Sequence, residues 1–362
     1  MFKSTNKSTI NAIDLFSGCG GLSFGFGSAG IHTELAIDNW PDALSTFAKN
    51  HSKSRTELYD LGSKNLKPLI DSLQDAQVVF GGPPCQGFSI SGKRDPNDPR
   101  NLLYRGFYEV VAEVRPRVFV MENVPNLASM DGGRLIEEIE SDFKSLGYSL
   151  NRKILLASDY GVPQNRRRLI LVGTISERVF EFPRATTILP EDKITCKMAL
   201  SDLPEHSLEE GSRYLSKPDG NYQKLMREGS LGIYNHTITQ HSEQTTRIIG
   251  LVPDGGNYKD LPIELQSTRK VNIAWTRYSS KKPSLTIDTG HRHHFHYSYN
   301  RIPTVRESAR LQSFPDSFIF EGSKTSQYKQ VGNAVPPLMA QALGERINSY
   351  LSEEIGIVKN AI

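Results

Sequence analysis

Short apolar runs alternate with longer amphipathic stretches through about the first 175 residues of the chain. The stretches 103–114 and 134–146 carry apolar residues three and four positions apart, a spacing that predicts helices with one buried face. The runs predict strands at 10–16, 35–37, 78–80, 118–121 and 169–172. Strands that alternate with helices are typical of an α/β fold, in which a parallel sheet is covered by helices on both faces.

Three of these predicted strands end on polar or glycine-rich segments. The first runs into the turn 17–21, the third into Gly81-Gly82-Pro83-Pro84, and the fourth into Glu122-Asn123. In open α/β sheets, ligands bind at the carboxyl ends of the strands. We therefore expect the three segments to contribute to one shared site.

The pattern changes near residue 180. Residues 183–300 are rich in Pro, Gly, Ser, Thr and His, contain few long amphipathic stretches, and predict a smaller, loop-rich domain. Helical spacing returns at 305–314, where Thr304 is the expected N-cap, and a last helix is predicted at 338–351.

Composition narrows the class of protein. The chain has 362 residues, 37% of them hydrophobic, with a mean hydropathy of −0.42 and a formal net charge of +3. No apolar run approaches the roughly 20 residues of a membrane-spanning helix, and the N-terminus lacks the apolar core of a secretory signal, so we expect a cytoplasmic protein. The three cysteines, Cys19, Cys85 and Cys196, are too few for a disulfide framework.

The first turn has the chemistry of a nucleoside site. Its glycines let a ligand approach the backbone closely, and Asp38, at the end of the second strand, is placed to hydrogen-bond a ribose. The turn lacks both the Gly-x-Gly-x-x-Gly phosphate fingerprint and a Walker lysine. A nucleoside cofactor without a pyrophosphate, such as S-adenosylmethionine, therefore fits better than NAD or ATP. Trp40 is a candidate for stacking on the adenine or, equally, for plain core packing.

Cys85 is the candidate nucleophile. The Gly-Pro turn at 81–84 would present its thiol at a strand end, and a neighbouring parallel strand would bring Glu122 beside it. A thiolate paired with a carboxyl acid suits addition to an electron-poor ring, because the acid can protonate or hydrogen-bond a ring nitrogen.

The order of these motifs resembles that of the DNA (cytosine-5)-methyltransferase family, in its bacterial restriction-modification form. The resemblance extends over more than 300 residues and six motifs, which are 14–21, 82–89, Glu122-Asn123-Val124, the run Gln164-Asn165-Arg166-Arg167-Arg168, 306–315 and 332–337. It implies a Rossmann-like S-adenosylmethionine-dependent methyltransferase sheet with a smaller target-recognition domain. The implied domains are catalytic and cofactor-binding at 1–184 and 331–362, target-recognition at 185–303, and a hinge with a connecting helix at 304–330.

The resemblance also implies roles for single residues. The catalytic residues would be Cys85, which attacks carbon 6 of cytosine, Glu122, Arg168, which holds the base carbonyl, and Arg166 in support. Residues at the family's cofactor contacts are Phe16, Gly18, Gly20, Gly21, Asp38, Trp40, Asp60, Leu61, Pro83, Leu103, Asn333 and Val335. Around Asp60 the sequence Leu-Tyr-Asp-Leu-Gly departs from the Gly-Asp usual in the family.

Duplex DNA is the implied partner. A base inside the stack is out of reach, so the target cytosine would be flipped out, with 89–101 closing over it as a basic lid. The implied DNA contacts are Gln86, Ser89, Lys93, Arg94 and Arg100. In the recognition region, Arg277, Lys281, Arg292 and Arg301 are unranked candidates for phosphate or guanine. The recognition sequence cannot be derived.

Alternative functions fit the sequence less well. Transfer-RNA methyltransferases on this scaffold usually carry a Cys-Phe-Thr tripeptide that is absent here, and a non-catalytic DNA-binding relative would not need Cys85, Glu122 and Arg168. An amino-group methyltransferase would need an Asn/Asp-Pro-Pro-Tyr motif. The histidines at 291–296 lack a second ligand cluster, so we expect no metal. We expect a nucleoid-associated bacterial monomer, paired in function with a restriction endonuclease.

Overall fold

The computed structural model describes residues 10–63, 66–70, 76–84, 101–176, 178–266, 275–289 and 293–360, without the side chains of 68, 70, 101, 102 and 354–360. Its strands are β1 (Ile10–Leu15), β2 (Ile31–Asp38), β3 (Arg55–Leu58), β4 (Val78–Gly81), β5 (Val118–Asn123), β6 (Ser149–Leu156), β7 (Arg167–Thr174), β8 (Thr276–Arg277) and β9 (His294–Phe295). Its helices are α1 (Gly21–Ser28), α2 (Pro41–Asn50), α3 (Lys67–Ile70), α4 (Asn101–Val114), α5 (Arg134–Ser145), α6 (Cys196–Leu200), α7 (Asn221–Arg227), α8 (Glu243–Leu251), α9 (Ile263–Gln266), α10 (Val305–Leu311), α11 (Lys324–Asn333) and α12 (Pro337–Asn360).

The described residues pack as two compact units. The sheet unit comprises the described parts of Phe2–Leu156, Arg167–Arg184 and Met339–Ile362, and the loop-rich unit comprises Ala157–Arg166 and Ala185–Leu338. Residues 304–330, for which the sequence predicts a hinge, pack within the loop-rich unit. The functional domains themselves stay predictions, because packing alone does not assign a role.

A seven-stranded sheet in the order β3-β2-β1-β4-β5-β7-β6 forms the sheet unit, and it confirms the predicted α/β class. The first five strands in this order pair in parallel. The sheet is mainly parallel, as predicted, but it departs from that prediction at the other edge, where β7 runs antiparallel to both β5 and β6. A direct connection from β6 through 157–166 leaves no crossover helix, and so β7 returns in the opposite direction.

Burial explains which strands the pattern revealed. Every residue of β4 and β5 is buried, as expected for central strands covered on both faces. The edge strands β3 and β6, which the apolar pattern missed, are mostly exposed or half-buried. In the core of the sheet unit, the ring of Phe107 packs edge to face on those of Phe119 and Phe143, each at a centroid distance of 6.2 Å. The rings of Phe119 and Phe143 lie tilted to each other at 4.2 Å. These aromatic contacts join α4 and α5 to β5.

The loop-rich unit contains short helices and the two-stranded parallel sheet β8-β9. Thr304 is the N-cap of α10, as predicted, and accepts a hydrogen bond from the backbone N–H of Glu307 in a capping box. The helix ends at Leu311 rather than at 314, because Ser313 has a positive φ of 66° and Pro315 follows. The last helix, α12, extends well beyond the predicted 338–351. Within the described ranges, no helix is long and apolar enough to cross a membrane.

Candidate active site

The turn after β1 is joined to the end of β2 by the Asp38 carboxylate. One oxygen of Asp38 accepts a 2.8 Å hydrogen bond from the backbone N–H of Gly18, and the other accepts one of 2.9 Å from that of Trp40. Burial raises the pKa of Asp38, while these two backbone donors oppose the rise. The backbone N–H of Asn39 is a third donor, and since a carboxylate has about four lone-pair directions, Asp38 can still accept from a ligand hydroxyl.

Positive φ angles shape the same turn. Phe16, Gly18 and Gly20 have φ values of 57°, 53° and 92°, and Gly21 begins α1. The hydroxyl oxygen of Ser17 is buried and has no hydrogen-bond partner among the described residues. An unpaired buried hydroxyl is costly unless a ligand or water meets it, so the turn fits a polar ligand.

One contact in this turn was not foreseen from the sequence. The ring of His51 stacks on Phe47 at 4.2 Å and lies where a Cβ of Gly20 would be, with its Nε2 2.5 Å from that position. Burial lowers the pKa of His51 to about 4, against a backbone contact with Gly20 that raises it. The only available signal would have been a histidine just after a helix, which is too common to be informative.

Three of the predicted cofactor residues meet around Gly62. A Cβ placed on Gly62 would lie 3.2 Å from Oδ1 of Asp60 and 3.1 Å from Cδ2 of Leu103. Asp60 is exposed and caps the turn through a 2.9 Å bond from the Gly62 N–H, whereas Leu61 is buried. Gly106 of α4 packs so closely on the Leu61 carbonyl that any side chain there would overlap it.

The ends of β4 and β5 lie side by side, as the sequence predicts. The two strands pair in parallel with Gly81 opposite Met121, and the Asn123 amide donates a 2.9 Å hydrogen bond to the carbonyl of Pro83. A Cβ on Gly82 would lie only 2.8 Å from Oε2 of Glu122. The glycine therefore lets the chain that leads toward residue 85 pass directly over the Glu122 carboxylate.

Arg168 pairs with Glu122 from the next strand. Its Nε lies 2.6 Å from Oε1 of Glu122, and its Nη1 donates a 2.8 Å hydrogen bond to the carbonyl of Arg167. The two side chains keep 12% and 11% of their surface exposed. The pair is thus held in place by the strands, yet its outer side remains accessible to a reactant.

Arg166 and the segment 332–335 belong to the loop-rich unit. Arg166 is buried there, and its Nη2 donates hydrogen bonds of 2.8 Å and 3.3 Å to the carbonyls of Gly332 and Asn333. The sequence predicts separate roles for Arg166 and Asn333 and gives no sign that Arg166 holds the backbone of Asn333. The catalytic role of Arg166 and the cofactor contacts of Asn333 and Val335 stay predictions.

Two of the arginines considered for DNA contact are structural instead. Arg277 is buried and donates to the backbone carbonyls of Ile249 and Val252 at 2.6–2.7 Å, and Arg301 is buried in a bidentate pair with Glu307 at 2.7 Å. Buried guanidinium groups whose donors are already used do not reach DNA, so Arg277 and Arg301 are removed from the four unranked candidates for DNA contact. Lys281 is exposed.

Some predicted residues lie outside the described residues, namely Cys85, Gln86, Ser89, Lys93, Arg94, Arg100 and Arg292. Among the residues that are described, no group of histidine, cysteine or acidic side chains is arranged to hold a metal ion. His294 stacks on Tyr278 at 5.2 Å, and Nδ1 of His296 accepts hydrogen bonds from the backbone.

Comparison with known proteins places the chain among methyltransferases. The family model described as C-5 cytosine-specific DNA methylase matches residues 10–349. The type II methyltransferase M.DdeI of Desulfomicrobium norvegicum is 37% identical, with 97% of this chain and 91% of that protein covered. The type II methyltransferase M1.HphI of Haemophilus parahaemolyticus is 38% identical, with coverage of 94% and 87%.

Solved structures of methyltransferases are also similar to this chain. A protein described as a DNA modification methyltransferase encoded within an Escherichia coli prophage superposes with a TM-score of 0.76 at 28% identity, covering 95% of this chain and 99% of that one. The Entamoeba histolytica methyltransferase EhMeth has a TM-score of 0.65 at 17% identity, with coverage of 95% and 99%, a likeness that shows the fold alone. These structures confirm the predicted fold class.

Proposed function

The chain belongs to the C-5 cytosine-specific DNA methylases and is a DNA cytosine-5 methyltransferase, and we propose that it methylates one specific cytosine of duplex DNA through a covalent Cys85 adduct on a flipped-out base. The observation that carries the proposal is the Glu122 carboxylate, which lies under Gly82 at the end of β4 and is paired with Arg168. In sequence, Cys85 follows three residues after Gly82, so nucleophile and acid leave from adjacent strand ends.

The chain's own residues activate the base. The Cys85 thiolate adds to carbon 6, while Glu122 engages the ring nitrogen and amino group so that charge on the ring is neutralised and carbon 5 becomes nucleophilic. Arg168 orients Glu122 and holds the base carbonyl. Bound S-adenosylmethionine supplies the methyl group that carbon 5 takes. Water then removes the proton from carbon 5, the bond to Cys85 breaks, and the thiolate is restored.

S-adenosylmethionine is the cofactor that the strand-end turn fits best. Asp38 offers accepting oxygens for a ribose, the Ser17 hydroxyl is buried next to the turn, and Phe16 and Trp40 offer aromatic surface. Leu61 and Leu103 add apolar surface around Gly62. Asn333 and Val335, in the loop-rich unit, are assigned to the same cofactor through the family resemblance.

Duplex DNA is the proposed substrate. Flipping a cytosine out of the stack costs on the order of a few kcal/mol, which contacts to the distorted duplex must offset. We assign those contacts to Gln86, Ser89, Lys93, Arg94 and Arg100, on the segment 89–101 that closes over the base. Residues 185–303 read the sequence, and 304–330 connect them to the catalytic parts at 1–184 and 331–362.

The biological setting follows from the relatives. M.DdeI and M1.HphI are named as type II methyltransferases, which act in restriction-modification systems. We propose that this chain is the modification half of such a system and works as a monomer in the bacterial cytoplasm, on nucleoid DNA. A restriction endonuclease gene beside its own would support this setting, and an endonuclease blocked by the methylated product would establish it.

Methyl transfer tests the function. Purified protein with labelled S-adenosylmethionine should label cytosine in duplex DNA, and bisulfite sequencing of plasmid from expressing cells should show one recognition sequence. Cys85→Ala should abolish turnover and leave DNA binding largely intact, whereas Cys196→Ala, at a buried thiol in the loop-rich unit, should retain turnover. Label on adenine, label only on RNA, or turnover by Cys85→Ala would refute the proposal.

A further inference from the structure

Two glutamine side chains, Gln164 and Gln312, form a buried pair inside the loop-rich unit. Both are completely buried. The Gln164 amide donates to Oε1 of Gln312 and, at 3.3 Å, to the carbonyl of Leu311. The Gln312 amide donates to the carbonyls of Val331 at 2.9 Å and Ala334 at 2.8 Å. We call Gln164 and Gln312 the glutamine pair.

The orientation of the glutamine pair is fixed by a backbone donor. The N–H of Ile287 donates a 3.0 Å hydrogen bond to Oε1 of Gln164, so the amide group of Gln164 must point toward Gln312. Each amide hydrogen and each side-chain oxygen of the pair then has a partner. A fully satisfied network in a low-dielectric interior is stiff, because any displacement of one member leaves a buried polar group unpaired.

The glutamine pair joins two segments with different proposed tasks. At one end, the segment 284–287 lies in the proposed recognition region and runs beside residues 163–165, with a 2.8 Å bond from the Asn165 N–H to the Ser284 carbonyl. At the other end, Val331 and Ala334 flank Asn333, the proposed cofactor residue. Gly332 also packs against the carbonyl of Asp288 so closely that a side chain would overlap it.

We propose that the glutamine pair is a positioning device that couples DNA recognition at 284–287 to the cofactor-binding segment 331–335. The coupling rests on the proposed function, because it assigns those two segments to DNA and to S-adenosylmethionine. A shift of Ile287 on DNA binding moves Gln164, Gln164 moves Gln312, and Gln312 moves the two carbonyls that flank Asn333. Neither glutamine touches a reacting atom, so both are positioning residues.

Cofactor binding measured with and without DNA tests the coupling. The probe is S-adenosylhomocysteine in calorimetry, with and without a duplex that carries the sequence found by bisulfite sequencing. For the unsubstituted protein we expect the duplex to tighten binding at least about fivefold, the lower end of common coupling factors. Gln164→Met should reduce that factor to less than about twofold. Gln312→Met should in addition weaken binding without DNA about tenfold or more.

Gln223 supplies a matched control in the same unit. It is also completely buried, accepts from the Asp219 N–H at 2.6 Å, and donates to the Met198 carbonyl and the Ser201 hydroxyl at 3.0 and 2.8 Å. Gln223→Met removes three hydrogen bonds, as Gln164→Met does, although those of Gln223 are partly rather than fully buried, and it touches neither 284–287 nor 331–334. It should lower the melting temperature about as much as Gln164→Met and leave the coupling factor unchanged.

The outcomes separate this proposal from the proposed function. Protein that methylates cytosine but binds S-adenosylhomocysteine equally well with and without DNA overturns the coupling alone, as does a Gln164→Met variant with the original factor. Protein that methylates no cytosine refutes the function. If the substituted chains do not fold, amide exchange of the unsubstituted protein decides. DNA without cofactor should protect both the Ile287 amide and those of 331–335, and protection of Ile287 alone overturns the coupling.

Discussion

An arginine–carboxylate pair occurs in both units, with opposite consequences. In the sheet unit, Arg168 and Glu122 meet at the open ends of two strands and stay partly exposed. In the loop-rich unit, Arg310 is fully buried and donates to Asp202 at 2.6 Å and to Asp316 at 2.7 Å, and all three side chains are enclosed. The first pair has room for a reactant, and the second has none.

The difference reflects how each unit satisfies its backbone. The sheet unit pairs its buried N–H and C=O groups mainly in regular strands and helices, although it too buries a polar cluster, in which the Ser23 hydroxyl donates to Asp14 and contacts Thr33. The loop-rich unit has short elements, and buried side chains take the place of the missing ladders. Arg306, for example, donates to the carbonyls of Tyr234, Pro315 and Phe318 at 2.6–3.0 Å. The presence of an arginine in a family motif therefore indicates a catalytic or DNA-binding role only if its N–H donors are not already bonded within the protein.

Of the two arginine–carboxylate contacts, the one between Arg168 and Glu122 should have the larger effect on turnover. Glu122→Gln keeps the shape and a hydrogen bond to the base but cannot hold or transfer a proton, so kcat should fall about 10²- to 10⁴-fold. The free energy of unfolding should fall by about 1–3 kcal/mol, because the contact is largely buried but the Gln side chain can still accept a hydrogen bond from Arg168. Single-turnover methylation and urea unfolding check the two numbers. A variant that unfolds easily but turns over normally would reverse the roles assigned to the two pairs.

The largest effect on stability is expected at the enclosed pair. Arg310→Met removes the cation between Asp202 and Asp316; although Asp202 still contacts Arg227 and Asp316 still accepts from the Tyr214 hydroxyl, the free energy of unfolding should fall by about 3–5 kcal/mol. Arg213→Met, at an exposed arginine of the same unit, is the control and should stay within about 0.5 kcal/mol. Urea denaturation gives the free energy of unfolding of each variant. Equal stability for both variants would show that the enclosed pair does not hold the unit together.

The apolar pattern predicted the central sheet because buried strands repeat a simple signal. Runs such as 78–80 and 118–121 are apolar on both faces, and their polar ends marked Glu122 and the turn at Gly18. The strand at 169–172 was predicted, but its antiparallel direction was missed because strand direction depends on the connection, and the edge strands β3 and β6 were missed because they are mostly polar. The glutamine pair carries no local signal at all. Its partners lie 148 positions apart in sequence, and only the fold shows that they meet.

Acid should weaken the loop-rich unit through His296. Burial lowers the pKa of His296 to about 4, and its Nδ1 is already occupied as an acceptor for the backbone N–H groups of Ser298 and Tyr299 at 3.1 and 3.0 Å. In the unfolded chain the ordinary pKa is near 6.5. The unfolded state therefore binds the proton first, and stability that is fully present above pH 6.5 is lost as the pH falls toward 4.

The amount lost through His296 is at most about 3 kcal/mol. His296→Asn keeps an acceptor for both N–H groups but does not titrate, so its free energy of unfolding should fall less steeply between pH 6.5 and 4. Urea unfolding at several pH values gives the two slopes, with exposed His206→Asn as the control. Parallel slopes for His296→Asn and the unsubstituted protein would mean that His296 is not kept neutral by the fold.

The smallest effect is expected at an ion pair on the surface of the sheet unit. Arg152 Nη1 lies 3.0 Å from Oε1 of Glu140, with 41% and 18% of the side chains exposed. Exposed pairs of this kind contribute little, because water screens the charges and ordering two long side chains costs entropy. Glu140→Gln should change the free energy of unfolding by less than about 0.5 kcal/mol, and added salt should erase the difference. A loss above about 1 kcal/mol in urea unfolding would mean that this surface pair behaves like the enclosed one, so that burial alone does not separate the two kinds of arginine contact.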